Sequence, residues 1–290
     1  MYQFNHGIDL LRLCEENQKD IAEIVILAEI DETGKSRDEI WSEMKESFVV
    51  MQNAVKEGLS PDIKSVGGLI GGNANRLFNY SHDGISGSLV LKAVSYALAV
   101  TEVNASMGKI VAAPTGGASG VVPGVILALK EELEISDEKA INSLLVAAAI
   151  GKIIAVNATL SGAEGGCQAE VGSASAMAAG AAVYIRGGSP QASLDAAAMA
   201  LKGLLGLVCD PVAGLVEVPC SKRNATGTVN ALISADMALA GIKSFIPFDE
   251  IVDAMYKVGR LMSPNLRETA EGGCAITKTA LNFSQQFNCK

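Results

Sequence analysis

The chain has 290 residues, 49% hydrophobic but only 4% aromatic, with 30 glycines and a net charge of −9. That content fills the core of one large domain or two smaller ones. An acidic chain (pI about 4.9) without a basic stripe is excluded as a nucleic-acid binder, because phosphate neutralisation supplies most of that affinity. No run of about 18 apolar residues marks a membrane span.

The N-terminal stretch MYQFNHGIDLLRLCEEN has no charged segment followed by an apolar one, so no signal peptide is expected. It reads as an amphipathic helix with Cys14 in its core face. Ser36-Arg37-Asp38-Glu39 fits a capping box with Glu39 at the third helical position. In the helix that follows, Ile40, Met44 and Phe48 share a stripe, with Trp41 and Val55 nearby, and Gly58 and Pro61 stop it. A glycine-rich loop is expected from Lys64 to Arg76.

A second long helix is predicted over Ser86 to Ala105, and a third from Pro123, since proline suits a first helical turn. Ile110 to Leu129 carries no charge, yet Pro114, Pro123 and four glycines make much of it buried loop and turn. Helices follow over Asp137 to Val156, Gln168 to Ile185, Ser189-Pro190 to Gly206, and Ala225 to Ala240. Asp249 reads as the cap of a last long helix ending near Met262. No segment alternates with period two, and no Asn-Gly or Asp-Gly hairpin joins β-branched runs. The expected fold is all-α and one domain over 1–290. Residues 1–60 supply amphipathic helices, 64–273 the core and 274–290 a C-terminal tail.

Three cysteines stand out by their settings: Cys167 in SGAEGGCQAE, Cys209 in LVCDPVAG and Cys220 in VEVPCSKRNATG. Glycine and proline place each in a turn, where thiolates and N–H groups escape helical bonding and can converge. Three thiolates fill three corners of an iron–sulfur cube and leave the fourth iron open. The spacing is not that of zinc fingers or ribbons. The competing reading is three buried, unreactive cysteines acting as small hydrophobes. Six cysteines in this length make no disulfide framework, and a cytosolic chain keeps its thiols reduced.

A second motif, MGKIVAAPTGGASGVVPG from Met107 to Gly124, offers turn N–H groups able to cradle a carboxylate or phosphate. It is neither a P-loop nor a dinucleotide fingerprint. Close packing around a bend explains it equally, and the same holds for GGLIGGNAN. His82 is either a general base or a surface histidine, and Cys274, in EGGCAIT, mimics the Gly-Gly setting of Cys167. Cys289 lies next to the last residue, where chain ends are mobile.

Taken together, KSVGGLIGGN, NASMGKIVAAPTGGASGVVPG, SGAEGGCQAEVGSASAMAAGA, CDPVAGLVEVPCSKRNATG and SPNLRETAEGG resemble the alpha subunit of the iron–sulfur-dependent L-serine dehydratases. They stand in that family's order from Lys64 to Gly273. The resemblance implies a [4Fe–4S] cluster on Cys167, Cys209 and Cys220, within a compact helical domain whose glycine-rich loops converge on it. It implies conversion of L-serine to pyruvate and ammonia by a cytoplasmic, oxygen-sensitive lyase of amino-acid catabolism and gluconeogenesis.

It also implies that Cys289 reaches the site as a reversible ligand, although Lys290 follows it, and it requires no cysteine at Cys274. Single-chain members carry a further domain before this one, with a Ser- and His-containing segment, which nothing here matches. A separate beta subunit is therefore implied. Candidates for holding serine are Lys64, Lys109, Thr115, Gly116, Gly117 and Ser119. The sequence names no base. The alternatives are a pyridoxal-phosphate β-eliminase with Lys64 as its Schiff-base lysine, and a helical scaffold with a structural metal.

Overall fold

The computed structural model describes residues 2–288. Thirteen α-helices and no strand occur among them, and an isolated bridge pairs Cys209 with Arg267. The expected all-α class is what the chain adopts.

The first three helices form an N-terminal hairpin array: α1 (Gly7–Asn17), α2 (Ile21–Thr33) and α3 (Arg37–Gly58). Ser36 and Glu39 close the reciprocal capping box that starts α3, and Ile40, Phe48 and Val55 are buried. Cys14 is buried in α1. A loop leads to α4 (Asn73–Tyr80), α5 (Ser88–Ala105) and, past a 3-10 turn at Gly116–Ala118, α6 (Val121–Glu132). Next come α7 (Asp137–Asn157), the one-turn α8 (Gly162–Gly165) and a π turn (Gln168–Gly172) continuous with α9 (Ser173–Ile185). The remaining helices are α10 (Pro190–Gly203), α11 (Cys220–Leu239), α12 (Phe248–Leu261) and α13 (Lys278–Asn288).

α9 is the axis of the molecule. Every one of its residues is buried, and α6, α7, α10 and α11 pack around it. Its sequence SASAMAAGAAVYI lets those neighbours approach closely. At Gly180 a Cβ would stand 2.1 Å from Ile150 Cδ1 of α7, so the crossing requires glycine. The main apolar core runs from Phe4 in the N-terminal segment to Met255 in α12, so residues 1–60 share the core of the rest, and a small second cluster joins Ala74 to Val94, Leu98 and Ala99. By length and composition α7 is apolar enough to cross a membrane, but 67% of that stretch is buried inside the fold.

Several boundaries differ from the sequence reading, each for a long-range reason. Asp249 does not cap α12, which has no side-chain cap. Its carboxylate instead accepts the Gly7 and Ile8 N–H groups, at 2.6 and 3.1 Å, and so caps α1. Asn73 to Arg76, read as loop, is the first turn of α4. The buried Glu102 of α5 accepts from Asn73 N at 2.9 Å and from Asn73 Nδ2 at 2.7 Å, satisfying a helix start that has no local cap. α6 begins at Val121, two residues before Pro123, and α11 begins at Cys220 rather than Ala225. The tail contains a helix that the sequence reading lacked: α13, which packs on a 3-10 turn at Val212–Gly214.

Candidate functional site

Cys167, Cys209 and Cys220 lie in one region, where Glu170 acts on all three thiols. The turn settings expected for them need correction. Cys167 leads directly into the π turn before α9, and Cys220 is the first residue of α11. Cys209 alone is extended: its N–H donates to Leu266 O at 2.8 Å and its carbonyl accepts from Glu268 N at 2.7 Å. Two of the thiols therefore sit where helix dipoles favour negative charge.

Each cysteine segment is fixed by a polar side chain reaching between loops. Gln168 Nε2 donates to Gly165 O (2.9 Å) and Met255 O (3.0 Å), while its Oε1 accepts from Gly206 N (2.9 Å). It thereby ties the Cys167 turn to the strand-like approach to Cys209. The Glu217 carboxylate is 2% exposed and accepts from Ser65 Oγ (2.6 Å), Gly67 N (2.6 Å) and Leu69 N (3.0 Å). It pins the 64–72 loop to the segment before Cys220. Asn224 Nδ2 donates to Gly117 O (2.7 Å) and Cys220 O (2.9 Å), and its Oδ1 accepts from Gly120 N (3.0 Å). Both glycine-rich motifs and all three cysteine segments thus form one cross-braced cup.

The thiols feel one another. Burial, then Glu170, pushes the Cys167 thiol up to about 12, with Cys220 adding and Arg223 opposing. Burial and then Glu170 push Cys220 up to about 12 as well. Cys209 is raised by burial first, then by Glu170 and Cys167. All three are free thiols. A cation is at hand in Arg223, whose Nη1 donates to Val208 O (2.6 Å) and lies 2.7 Å from Asp210 Oδ1.

Among the described residues, Ser173 Oγ, Ser221 Oγ and Arg267 Nε are buried without a hydrogen-bond partner, and Asp210 Oδ1 has only its ion pair with Arg223. Asp210 follows Cys209, Ser221 follows Cys220, Arg267 bridges to Cys209, and Ser173 opens α9 behind Cys167. Such atoms are costly in a finished interior. Their concentration beside the cysteines fits a site that takes up a polar group. No three His, Cys, Asp or Glu side chains described here stand close enough to share one metal ion. A cube gives each thiolate its own iron and suits such a spread-out donor set, whereas a structural zinc needs its ligands on one centre.

The other predicted residues fall into two groups. Thr115, Gly116 and Gly117 are at the cup: Thr115 Oγ1 donates to Glu170 Oε1 at 2.7 Å, and Gly117 lies beside the same carboxylate. Ser119 is buried next to them, its hydroxyl donating to Gly116 O at 2.8 Å. Lys64 and Lys109 are exposed, and so is His82 at the end of α4. An exposed Lys64 in an all-helical fold lends no support to the pyridoxal-phosphate reading. Cys289 lies outside the described residues.

Sequence reasoning missed Glu170, Asp210 and Arg223. Spacing carried a signal for two of them. Glu170 follows Cys167 by three residues and Arg223 follows Cys220 by three, which in a helix shares a face.

Cys274 is close to the cup: its N–H donates to Asp210 Oδ2 at 2.5 Å, and its thiol also bonds Asp210, which raises its pKa after burial. A serine hydroxyl can replace that bond. Cys274→Ser and Cys14→Ser are therefore expected to keep full iron loading after anaerobic reconstitution. Loss of iron in a folded Cys274→Ser would make Cys274 a ligand.

A cavity of about 560 Å³ lies elsewhere, between α2, α3, α7 and α9, lined by Asp20, Arg37, Trp41 and Tyr184 among others. None of the predicted site residues lines it.

The profile of the family described as serine dehydratase alpha chain matches residues 16–275, which includes the whole cup. The chain belongs to that family. It is 52% identical over 286 residues to the "probable L-serine dehydratase, alpha chain" of Bacillus subtilis, covering 98% of this chain and 95% of that one. With the "L-serine dehydratase, alpha chain" of Peptoniphilus asaccharolyticus it shares 43% identity over 285 residues, 98% of each. An "L-serine dehydratase" of Helicobacter pylori is 41% identical over 283 residues, 95% of this chain but 62% of that protein, which therefore carries sequence beyond the matched part.

Proposed function

We propose that this chain is the alpha subunit of a two-subunit L-serine dehydratase, which converts L-serine to pyruvate and ammonia. We propose a [4Fe–4S] cluster on Cys167, Cys209 and Cys220 as its cofactor. The observation that carries this reading is the cup itself: three free thiols in one region, on segments braced by Gln168, Glu217 and Asn224. When bound, such a cluster supplies a Lewis-acidic iron toward the poor leaving group of serine, its β-hydroxyl.

The chain's own residues bind and orient. Gly116 and Gly117 open a 3-10 turn, and the first N–H groups of a helical turn lack partners within it, which suits the substrate carboxylate. Ser119 and Asn104 hold that turn by donating to Gly116 O. The exposed Lys64 and Lys109 draw an anionic group toward the cup in an otherwise acidic protein. Rigid bracing converts binding into alignment. Loss of the α-proton and the β-hydroxyl leaves an enamine, which tautomerises and hydrolyses in water to pyruvate and ammonia.

Relatives named alpha chain match this one along nearly their full length, and the longer Helicobacter pylori protein has room for a second unit. Both support a separate beta subunit. Free thiols at the site suit a reducing compartment, and we place the protein in the cytoplasm. Cys289 is proposed as a reversible thiolate that holds the remaining position when serine is absent.

The test is anaerobic pyruvate formation from L-serine, with and without the beta chain. The alpha chain alone is expected to turn over serine weakly and the pair fully. Full activity of the alpha chain alone would remove the partner requirement. No pyruvate from a fully loaded pair would remove the dehydratase reading.

A further inference from the structure

The cup holds a carboxylate with no cation beside it. Glu170, on the π turn after Cys167, accepts the Thr115 hydroxyl at 2.7 Å on Oε1, and its Oε2 lies 3.8 Å from Cys209 Sγ. No Lys, Arg or His among the described residues forms an ion pair with it. The other buried carboxylates of this region are matched. Glu217 has a hydroxyl and two N–H donors, Glu102 has the start of α4, and Asp210 has Arg223 and the Cys274 N–H. Glu170 is less deeply buried than Glu217, Glu102 and Asp210.

Two glycines make room around this carboxylate. A Cβ at Gly162 would sit 2.5 Å from Oε2, and one at Gly117 would sit 3.2 Å from Oε1. A partly buried carboxylate with no cation beside it is costly. A cationic group delivered by a ligand would remove that cost.

Position identifies the ligand class. Glu170 is bonded to Thr115, the residue before Gly116 and Gly117. An acceptor for a cation therefore stands beside the Gly116–Gly117 turn proposed above for the substrate carboxylate. In an α-amino acid the ammonium and carboxylate share one carbon and need such adjacent anchors.

We propose that Glu170 anchors the substrate's ammonium group, while the Gly116–Gly117 turn takes its carboxylate. A β-substituent on that carbon is then directed toward the cysteines, since the same Glu170 carboxylate adjoins Cys209. The proposal deepens the dehydratase reading and rests on it. It makes Glu170 a binding residue selective for zwitterions, where a purely structural tie between loops would serve every ligand alike.

The experiment compares two unreactive probes on the anaerobically loaded protein by calorimetric titration. L-alanine keeps ammonium and carboxylate but has no hydroxyl to lose; 3-hydroxypropanoate keeps carboxylate and hydroxyl but has no ammonium. Glu170→Gln preserves size and the bond from Thr115. It is expected to weaken L-alanine by about thirtyfold, the scale of a lost charge-assisted hydrogen bond, and to leave 3-hydroxypropanoate within about twofold. Unchanged L-alanine binding, or a parallel loss of both probes, overturns the proposal. Wild-type protein that binds neither probe overturns the amino-acid site itself, a result distinct from failure of Glu170 alone. If Glu170→Gln does not fold or load, Thr115→Val frees Oε1 and serves with the same pair. A loss selective for L-alanine supports the anchor, and a parallel loss or none overturns it.

Discussion

Cys167→Ala, Cys209→Ala and Cys220→Ala are each expected to give a folded protein that assembles no [4Fe–4S] cluster and forms no pyruvate. Folding survives because the cysteine backbones are held by other groups: Gln168 beside Cys167, Leu266 and Glu268 around Cys209, and Asn224 on Cys220 O. Trimming one buried thiol to a methyl costs about 1–2 kcal/mol of packing, within the margin of a domain this size. Cluster assembly does not survive, since a methyl group cannot ligate iron. Iron and acid-labile sulfide after anaerobic reconstitution, with circular dichroism as the folding control, give the answer. Full cluster content in any one of the three would strike that cysteine from the ligand set.

The second large effect is expected at Glu217. Removing its carboxylate leaves Gly67 N and Leu69 N without their acceptor and Ser65 Oγ with Ile70 O alone. Hydrogen bonds to a charged, buried acceptor are among the strong ones, and stranded donors carry their full desolvation cost. Glu217→Ala is expected to lower unfolding stability by about 2–4 kcal/mol. It should also open the 64–72 loop to proteolysis and reduce iron loading through the Cys220 segment three residues on. Urea unfolding and limited proteolysis read the first two. Wild-type stability together with an uncut loop would mean that Glu217 does not brace the cup.

How far the sequence spoke depended on the range of the interaction behind each feature. The α3 start was legible because Ser36 and Glu39 carry the whole capping box within four residues. The cysteine settings were legible only in part: Cys209 lies outside helix, whereas Cys167 and Cys220 lead into helical turns. Asp249 misled because a helix-start carboxylate looks the same whether it caps its own helix or one 242 residues away. The start of α4 was hidden because its cap, Glu102, belongs to the next helix. Cys220 looked like a turn residue because the preceding proline masks a helix that begins at the cysteine itself. Glu170 follows Cys167 by three residues, but its surroundings were hidden because Thr115 and two glycines come from separate loops.

The central claim is that this helical cup holds a [4Fe–4S] cluster, and the wild-type protein tests it most directly. After anaerobic reconstitution, iron, acid-labile sulfide and the visible spectrum are measured on one sample. The account predicts about four iron and about four sulfide per chain, with a broad absorption near about 400 nm that bleaches with dithionite. A colourless protein carrying zinc without sulfide, or a sharp band near about 400 nm abolished by hydroxylamine, would contradict it.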